Sequence, residues 1–153
     1  MKKIKYYIHL LLNEFLLKPF NLRVSYNIGN DLFEDLKRLF DNENIDCVID
    51  GGAYRGDFSM DITDSFPSVK VYAFEPQKDS FQLLLKNTSK RKSIKPINFA
   101  LGENSGEATL YKNISAMTNS LSQSSSDALK YFEGYNNPVG QEQVDVIALS
   151  DFL

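Results

Sequence analysis

The sequence predicts an α/β protein in which helices flank a parallel sheet. Between residues 47 and 102, short apolar runs alternate with amphipathic segments, and a glycine-rich turn follows the first run. Such a turn is typical of a buried strand that leads directly into a helix. Alternating strands and helices build a parallel sheet with helices on its faces. Right-handed crossovers then place the first strand centrally and the other two successively to one side.

Composition and charge narrow the class of protein. The chain has 153 residues, of which 42% are hydrophobic and 24% charged, with a formal charge of -3. These values fit one soluble globular domain and exclude a disordered chain. The absence of a basic excess argues against nucleic-acid binding. Because the chain has one cysteine and one histidine, we expect neither a disulfide framework nor a Cys/His metal site. The low cysteine content also predicts a reducing compartment, the cytoplasm.

Residues 1–44 are predicted to form an N-terminal helical segment, with helices over 4–17 and 31–42. Lysines precede the apolar run from Tyr6 to Leu12, as at the start of a signal peptide. Polar residues interrupt this run, which is also far shorter than the roughly 20 residues that cross a bilayer. We therefore expect no transmembrane segment, and we expect the main domain to cover residues 45–153.

The main domain divides into a parallel part and an antiparallel part. In the parallel part, the first predicted strand ends at Asp50, the second runs from Val69 to Phe74, and the third runs from Ile97 to Leu101. A helix from Gly56 to near Pro67 connects the first two strands. A second helix, with Phe81, Leu84 and Leu85 facing inward, connects the last two. The predicted antiparallel strands are Glu107 to Tyr111 and Gln143 to Leu149. The Ser- and Asn-rich stretch between them, 113–141, is expected to be a functional or disordered loop. Cys47 is expected to be an inert buried thiol.

The chemical signal lies at the ends of the first two strands. The glycines that follow Asp50 permit a tight turn and a close approach of the backbone to a ligand. Glu75 lies 19 residues beyond Gly56, where a carboxylate can accept hydrogen bonds from both hydroxyls of a ribose. Together they predict a nucleoside-containing cofactor, either a dinucleotide or S-adenosylmethionine.

The order of three motifs resembles the FkbM family of S-adenosylmethionine-dependent methyltransferases. The motifs are Asp50-x-Gly52-Ala53-x-x-Gly56, then Ala73-Phe74-Glu75-Pro76, then Asn98-x-Ala100-Leu101-Gly102. The resemblance continues through Asn119-Ser120-Leu121 to the closing Val144-x-Val146 segment and covers roughly residues 46–153. It implies a Rossmann-like class I methyltransferase fold and S-adenosylmethionine as cofactor.

The resemblance also implies which residues bind the cofactor. The methionine part of the cofactor should face Asp50, Gly51, Gly52 and Ala53, and Gly56 completes this turn. The ribose should be held by Glu75. The adenine should be flanked by Pro76 and by the backbone near Ala100 and Leu101. Two positions depart from the family pattern, because Tyr54 stands where Asn is frequent and Gly51 where an aliphatic residue is usual. The acceptor implied is a hydroxyl of a sugar or another small molecule.

Three alternatives stay open. In the family, another core strand follows the segment that ends at Phe152. The chain is therefore expected to be a truncated portion of the domain. The missing strand would pair with the first strand, and a partner chain in a homo-oligomer could supply it. The first hypothesis is a methyltransferase of which this chain is the cofactor-binding half, the second is a non-catalytic remnant of such an enzyme, and the third is a nicotinamide-dependent oxidoreductase. The catalytic base is not identified. A base must first lie within reach of the acceptor. The one histidine, His9, lies far upstream in the sequence.

Overall fold

The computed structural model describes residues 32–40, 45–123, 125, 134–135 and 137–153. The chain divides into two compact units, Met1–Asp41 and Asn42–Leu153. In the first unit one helix is described, α1 (Leu32–Leu39), with acidic residues in its first turn and basic residues in its last. This distribution suits the helix dipole. The helix predicted over 4–17 lies outside the described residues.

The first half of the second unit is a parallel sheet with helical crossovers. Its elements are β1 (Cys47–Gly51), α2 (Asp57–Ser65), β2 (Lys70–Phe74), α3 (Lys78–Thr88) and β3 (Ile94–Ile97). The strand order is β1-β2-β3, and both pairings are parallel. The predicted α/β class and the successive placement of the strands are thereby confirmed. The prediction that the first strand is central is wrong for the described residues, where β1 lies at one edge of the sheet because no described strand pairs with its other side.

Both faces of this sheet are covered. Asp50 of β1 pairs in register with Ala73 of β2, so their side chains share a face. Ser59 of α2 donates a hydrogen bond to Asp50, which places α2 over that face. On the opposite face, the ring of Phe152 makes edge-to-face contacts with Tyr72 and Phe74, with centroids 5.2 and 5.1 Å apart. The sheet thereby fixes the strand ends that carry the site.

The second half is a mixed sheet of order β4-β6-β5. Its elements are β4 (Ala100–Gly102), β5 (Gly106–Asn113), a 3-10 helix (Ala116–Thr118), β6 (Pro138–Ala148) and α4 (Leu149–Phe152). Strands β5 and β6 pair in antiparallel fashion, as predicted, while β4 runs parallel to β6. The buried hydrophobic cluster of this sheet consists of Ala100, Leu110, Val144 and Val146.

The prediction of one strand from Ile97 to Leu101 is wrong. The chain instead forms β3 before Asn98 and β4 after Phe99, in two different sheets. The side chain of Asn98 donates to the carbonyl oxygens of Glu75 and Pro76, at 2.7 and 3.1 Å, and so holds the chain where it leaves the first sheet. Pro96 lies within β3 because an edge strand tolerates a missing N–H donor.

Two predicted burials are also wrong. Leu85 is 39% exposed, because the buried positions of α3 are Ser80, Leu84 and Thr88, which are spaced four residues apart. The hydroxyls of Ser80 and Thr88 are satisfied by hydrogen bonds to Gln77 Oε1 and to the Leu84 carbonyl. Cys47 is exposed, because it begins an edge strand whose burial increases only towards Asp50.

None of the helices in the described part of the chain is long and apolar enough to cross a bilayer.

Replacing Gly56 by alanine should destabilise the fold more than replacing Gly52. Both glycines have a left-handed backbone conformation, with φ of 91° at Gly56 and 81° at Gly52. A Cβ at Gly56 would lie 2.7 Å from Leu84 Cδ1 and 2.9 Å from Thr88 Cγ2, whereas nothing lies within 4 Å of one at Gly52. We expect Gly52→Ala to cost about 1–2 kcal/mol for the backbone conformation. Gly56→Ala should cost a further ~1–3 kcal/mol for overpacking. Urea unfolding measures the difference, and equal losses would show that α3 does not confine this turn.

Candidate functional site

The glycine turn after β1 is bound directly to the end of β2. The main-chain N–H groups of Gly52 and Ala53 donate to the Phe74 carbonyl oxygen, at 2.9 and 2.8 Å. Because the carboxyl ends of parallel strands meet at one edge of a sheet, the turn and Glu75 lie side by side there. The structure therefore brings together the two motifs that predicted a nucleoside site.

Glu75 is held by main-chain donors on both sides. It is 7% exposed. Its Oε2 accepts the N–H of Tyr54 at 2.8 Å, and its Oε1 accepts the N–H of Gln77 at 2.9 Å. Each carboxylate oxygen has two lone pairs, so each can accept one more hydrogen bond. The carboxylate is thus fixed in position and still able to bind two hydroxyl groups.

Asp50 is a second buried acid at this edge. Its Oδ2 accepts a hydrogen bond from the buried Ser59 hydroxyl at 2.6 Å. Burial raises the pKa of Asp50, and the Ser59 hydrogen bond partly offsets that rise. Burial likewise raises the pKa of Glu75; the two main-chain hydrogen bonds lower it, and the charges of Asp50 and Glu142 raise it further. The edge is therefore a region of concentrated negative charge.

A cavity of about 150 Å³ opens beside Glu75. One side is formed by the strand ends and the other by the Ser- and Asn-rich segment after β5. Its lining residues are Gly52, Tyr54, Glu75, Pro76, Leu110, Ala116, Met117 and Asn119. The sequence did not predict Leu110, Ala116 or Met117 as lining residues, because their proximity to Glu75 depends on how the chain folds back after β5. The one sequence signal for this side of the cavity was Asn119, which lies in a motif that resembles the family.

A second cavity, of about 210 Å³, lies on the other side of Pro76. It is polar, and its lining residues are Pro76, Lys78, Asn98, Glu107, Gln143, Val144 and Asp145. Pro76 lines both cavities. The side chain of Asn98 is already committed to the carbonyl oxygens of Glu75 and Pro76, so it fixes the wall between the two spaces.

Six predicted site residues lie outside both sets of lining residues, namely Asp50, Gly51, Ala53, Gly56, Ala100 and Leu101. Ala100 is buried in the core of the mixed sheet. Leu101 Cδ1 lies 3.3 Å from the position of a Cβ on Gly51. A Cβ at position 51 would therefore require the Leu101 side chain to shift by a few tenths of an ångström. Gly56 contacts α3 rather than either cavity. A role of their backbones in cofactor binding stays a prediction.

The main-chain N–H groups of the turn are used within the chain. Gly52 and Ala53 donate to Phe74, Tyr54 donates to Glu75, and Gly56 donates to the Ala53 carbonyl at 2.8 Å. A turn that binds a pyrophosphate points its amides at the phosphate oxygens. These four amides are not available for that purpose, because each already has an acceptor.

Among the residues that the structure describes, no group of three or more potential metal ligands comes together.

A family comparison identifies the domain. Residues 50–153, more than half of the chain, match the family model described as the methyltransferase FkbM domain. The chain belongs to the FkbM methyltransferase family. The site just described thus lies within the matched FkbM domain.

Comparison with solved structures finds a crystal structure from Staphylococcus aureus that is provisionally described as a caffeoyl-CoA O-methyltransferase. It has 17% sequence identity and a TM-score of 0.38, and the match covers 63% of this chain and 50% of that one. Comparison with curated proteins finds no match.

In this FkbM domain, asparagine at position 54 should be more stable than alanine. Tyr54 has φ of 51°, a left-handed conformation that asparagine tolerates better than other residues with a side chain. Both substitutions remove the ring and keep the N–H that binds Glu75. We therefore expect Tyr54→Asn to exceed Tyr54→Ala in unfolding free energy by about 0.5–1 kcal/mol. Thermal unfolding of the two variants measures this, and a more stable alanine variant would contradict it.

Asp50→Asn should stabilise the ligand-free FkbM domain at neutral pH. Burial raises the pKa of Asp50 in the folded state above its ordinary value of 3.8, so the folded state binds the proton more tightly than the unfolded state. Stability contributed by the protonated acid is lost as pH rises from that ordinary value through the raised pKa. The amide oxygen of the introduced side chain can still accept the Ser59 hydrogen bond without carrying charge.

Urea unfolding from pH 3 to 8 tests this sign. The variant should be more stable than the wild type at pH 7, and the difference should shrink as the pH falls. Asp61→Asn, at an exposed position on α2, controls for the loss of one negative charge. A wild type that is the more stable chain at pH 7 would contradict the account.

Proposed function

We propose that this chain is the cofactor-binding part of an S-adenosylmethionine-dependent methyltransferase that methylates a hydroxyl group of a sugar or another small molecule. Family membership supports the reaction class. The observation that carries the proposal is the buried carboxylate of Glu75, fixed beside the glycine turn by the N–H groups of Tyr54 and Gln77. Its remaining acceptor capacity suits the two hydroxyls of a ribose.

The charge of the site favours S-adenosylmethionine over a dinucleotide. The charges of Asp50 and Glu142 lie close enough to Glu75 to raise its pKa. A cluster of carboxylates attracts the positively charged sulfonium and amino groups of S-adenosylmethionine and repels a pyrophosphate. The four turn amides that could offset this repulsion are already bonded within the chain. Charge and hydrogen bonding therefore point to the same cofactor.

The chain's own residues supply binding and orientation. S-adenosylmethionine, when bound, supplies an electrophilic methyl group, and the protein's part in the transfer is to align the acceptor with it. Glu75 would hold the ribose, and Asp50 would lie near the methionine part. The cavity beside Glu75, closed on its far side by Met117 and Asn119, would admit the acceptor. Of the residues that line this cavity, Tyr54 and Glu75 are ionisable, and neither is assigned as the base.

Calorimetric titration with S-adenosylhomocysteine tests the cofactor. We expect the wild type to bind it, and Glu75→Gln to bind it more weakly by about 1–3 kcal/mol, because the variant loses a charged acceptor. Glutamine keeps the side-chain volume and one acceptor oxygen, but its NH2 group must face the N–H of Tyr54 or of Gln77, so the variant should also lose some stability. Glu107→Gln, in the neighbouring cavity, is the matched control and should bind as the wild type does.

NAD titrated into the same chains separates the alternatives. Binding of NAD in place of S-adenosylhomocysteine would overturn the assignment in favour of an oxidoreductase. Failure of the folded wild type to bind either ligand would favour a non-catalytic remnant. Thermal unfolding of each variant shows whether a lost affinity reflects a lost fold.

A further inference from the structure

The segment that follows β5 is closed on itself by two asparagines. The side chain of Asn119 accepts the N–H of Asn113 through Oδ1 at 2.8 Å. The side chain of Asn113 in turn donates to the Thr118 carbonyl at 2.7 Å. These bonds shape residues 113–119, which we call the clasp segment, into a compact turn that includes the 3-10 helix. Asn119 Nδ2 takes no part in this closure and can bind elsewhere.

Asn119 Nδ2 binds the start of α3. It donates to Gln77 Oε1 at 2.8 Å, and the same oxygen accepts the Ser80 hydroxyl at 2.9 Å. The Gln77 residue is 6% exposed, and its main-chain N–H donates to Glu75 Oε1. A continuous path of hydrogen bonds therefore runs from the clasp segment through Gln77 to the carboxylate at the centre of the site.

The clasp segment also forms a wall of the cavity beside Glu75. Ala116 and Met117 line that cavity opposite Gly52 and Glu75. Met117 is otherwise 76% exposed, so its own packing holds it only weakly in place. The hydrogen bond between Asn119 and Gln77 instead fixes this wall against α3.

We propose that Asn119 is a positioning residue that acts through Gln77, so that docking of the clasp segment and binding of a nucleoside at Glu75 strengthen each other. The inference rests on the proposed function. A ligand that contacts Glu75 and the cavity wall gains affinity when the wall is already docked, and by linkage the ligand must stabilise docking by the same factor. Bound cofactor thereby increases the fraction of chains in which the wall presents Met117 to the acceptor.

Two substitutions break the contact from opposite sides. Asn119→Asp keeps the oxygen that accepts the Asn113 N–H but places a second carboxylate oxygen against Gln77 Oε1. Gln77→Met removes the acceptor and keeps the side-chain length and the main-chain N–H that binds Glu75. Asn104→Asp, at an exposed position between β4 and β5, makes the same chemical change as Asn119→Asp and is the control.

Hydrogen exchange over residues 113–121 of the full chain, with and without S-adenosylhomocysteine, is the measurement. In the wild type and in Asn104→Asp, the ligand should slow exchange of this segment about fivefold or more. In Asn119→Asp and in Gln77→Met it should change exchange by less than about twofold, and affinity should fall about fivefold in each. The double variant should be no weaker than either single one, because both remove the same contact.

The outcomes distinguish this inference from the proposed function. If the wild type does not bind S-adenosylhomocysteine, the proposed function fails and the inference fails with it. If the wild type binds but the ligand leaves exchange of residues 113–121 unchanged, the inference alone is overturned. A purely structural role for Asn119 would speed exchange without ligand and leave the ligand's slowing factor intact; that result also overturns the inference. Independent, additive losses in the double variant would do the same.

Discussion

The two hydrogen bonds that Glu75 accepts join the turn after β1 to the junction between β2 and α3. Tyr54 lies in that turn, 21 residues before Glu75. Glu75 directly follows β2, and Gln77 is the N-cap residue of α3. Without the carboxylate, two main-chain N–H groups in a buried region would lose their acceptors, at a cost of about 1–3 kcal/mol each. The same bonds place the carboxylate where a ligand can reach it. The architecture of the turn and the chemistry of the site thus depend on one side chain.

This arrangement stores unfavourable electrostatic energy at the site. Asp50 and Glu75 are both buried, both have raised pKa values, and neither forms an ion pair within the described part of the chain. Hydrogen bonds from Ser59, Tyr54 and Gln77 offset only part of the cost of burial. A positively charged ligand would remove more of it, because an opposite charge favours the ionised form. Under the proposed function, S-adenosylmethionine is such a ligand, and its binding would offset part of the cost of burying the two carboxylates.

The sequence predicted the parallel half of the fold because its signals are local. A glycine turn, strand-length apolar runs and helix-length spacings each act over a few residues. The break between β3 and β4 was missed because it depends on Asn98 reaching Glu75 and Pro76, 23 and 22 residues away. Likewise, Leu85 matches the apolar pattern of α3 as well as Leu84 does. Only the packing of α3 against the sheet and the Gly56 turn decides which of the two is buried.

The candidate site shows the same division between local and distant information. The spacing of Asp50, the glycines and Glu75 predicted a nucleoside site but left two cofactors open, since both use a glycine turn and a ribose-binding acid. The choice depends on where the N–H groups of the turn point, which no residue pattern states. Phe74 and Glu75 accept the N–H groups of Gly52, Ala53 and Tyr54, so these N–H groups are not available to the oxygens of a pyrophosphate. A turn satisfied in this way can approach a ligand closely but offers it little positive charge, and the ligand it suits is one that brings positive charge of its own.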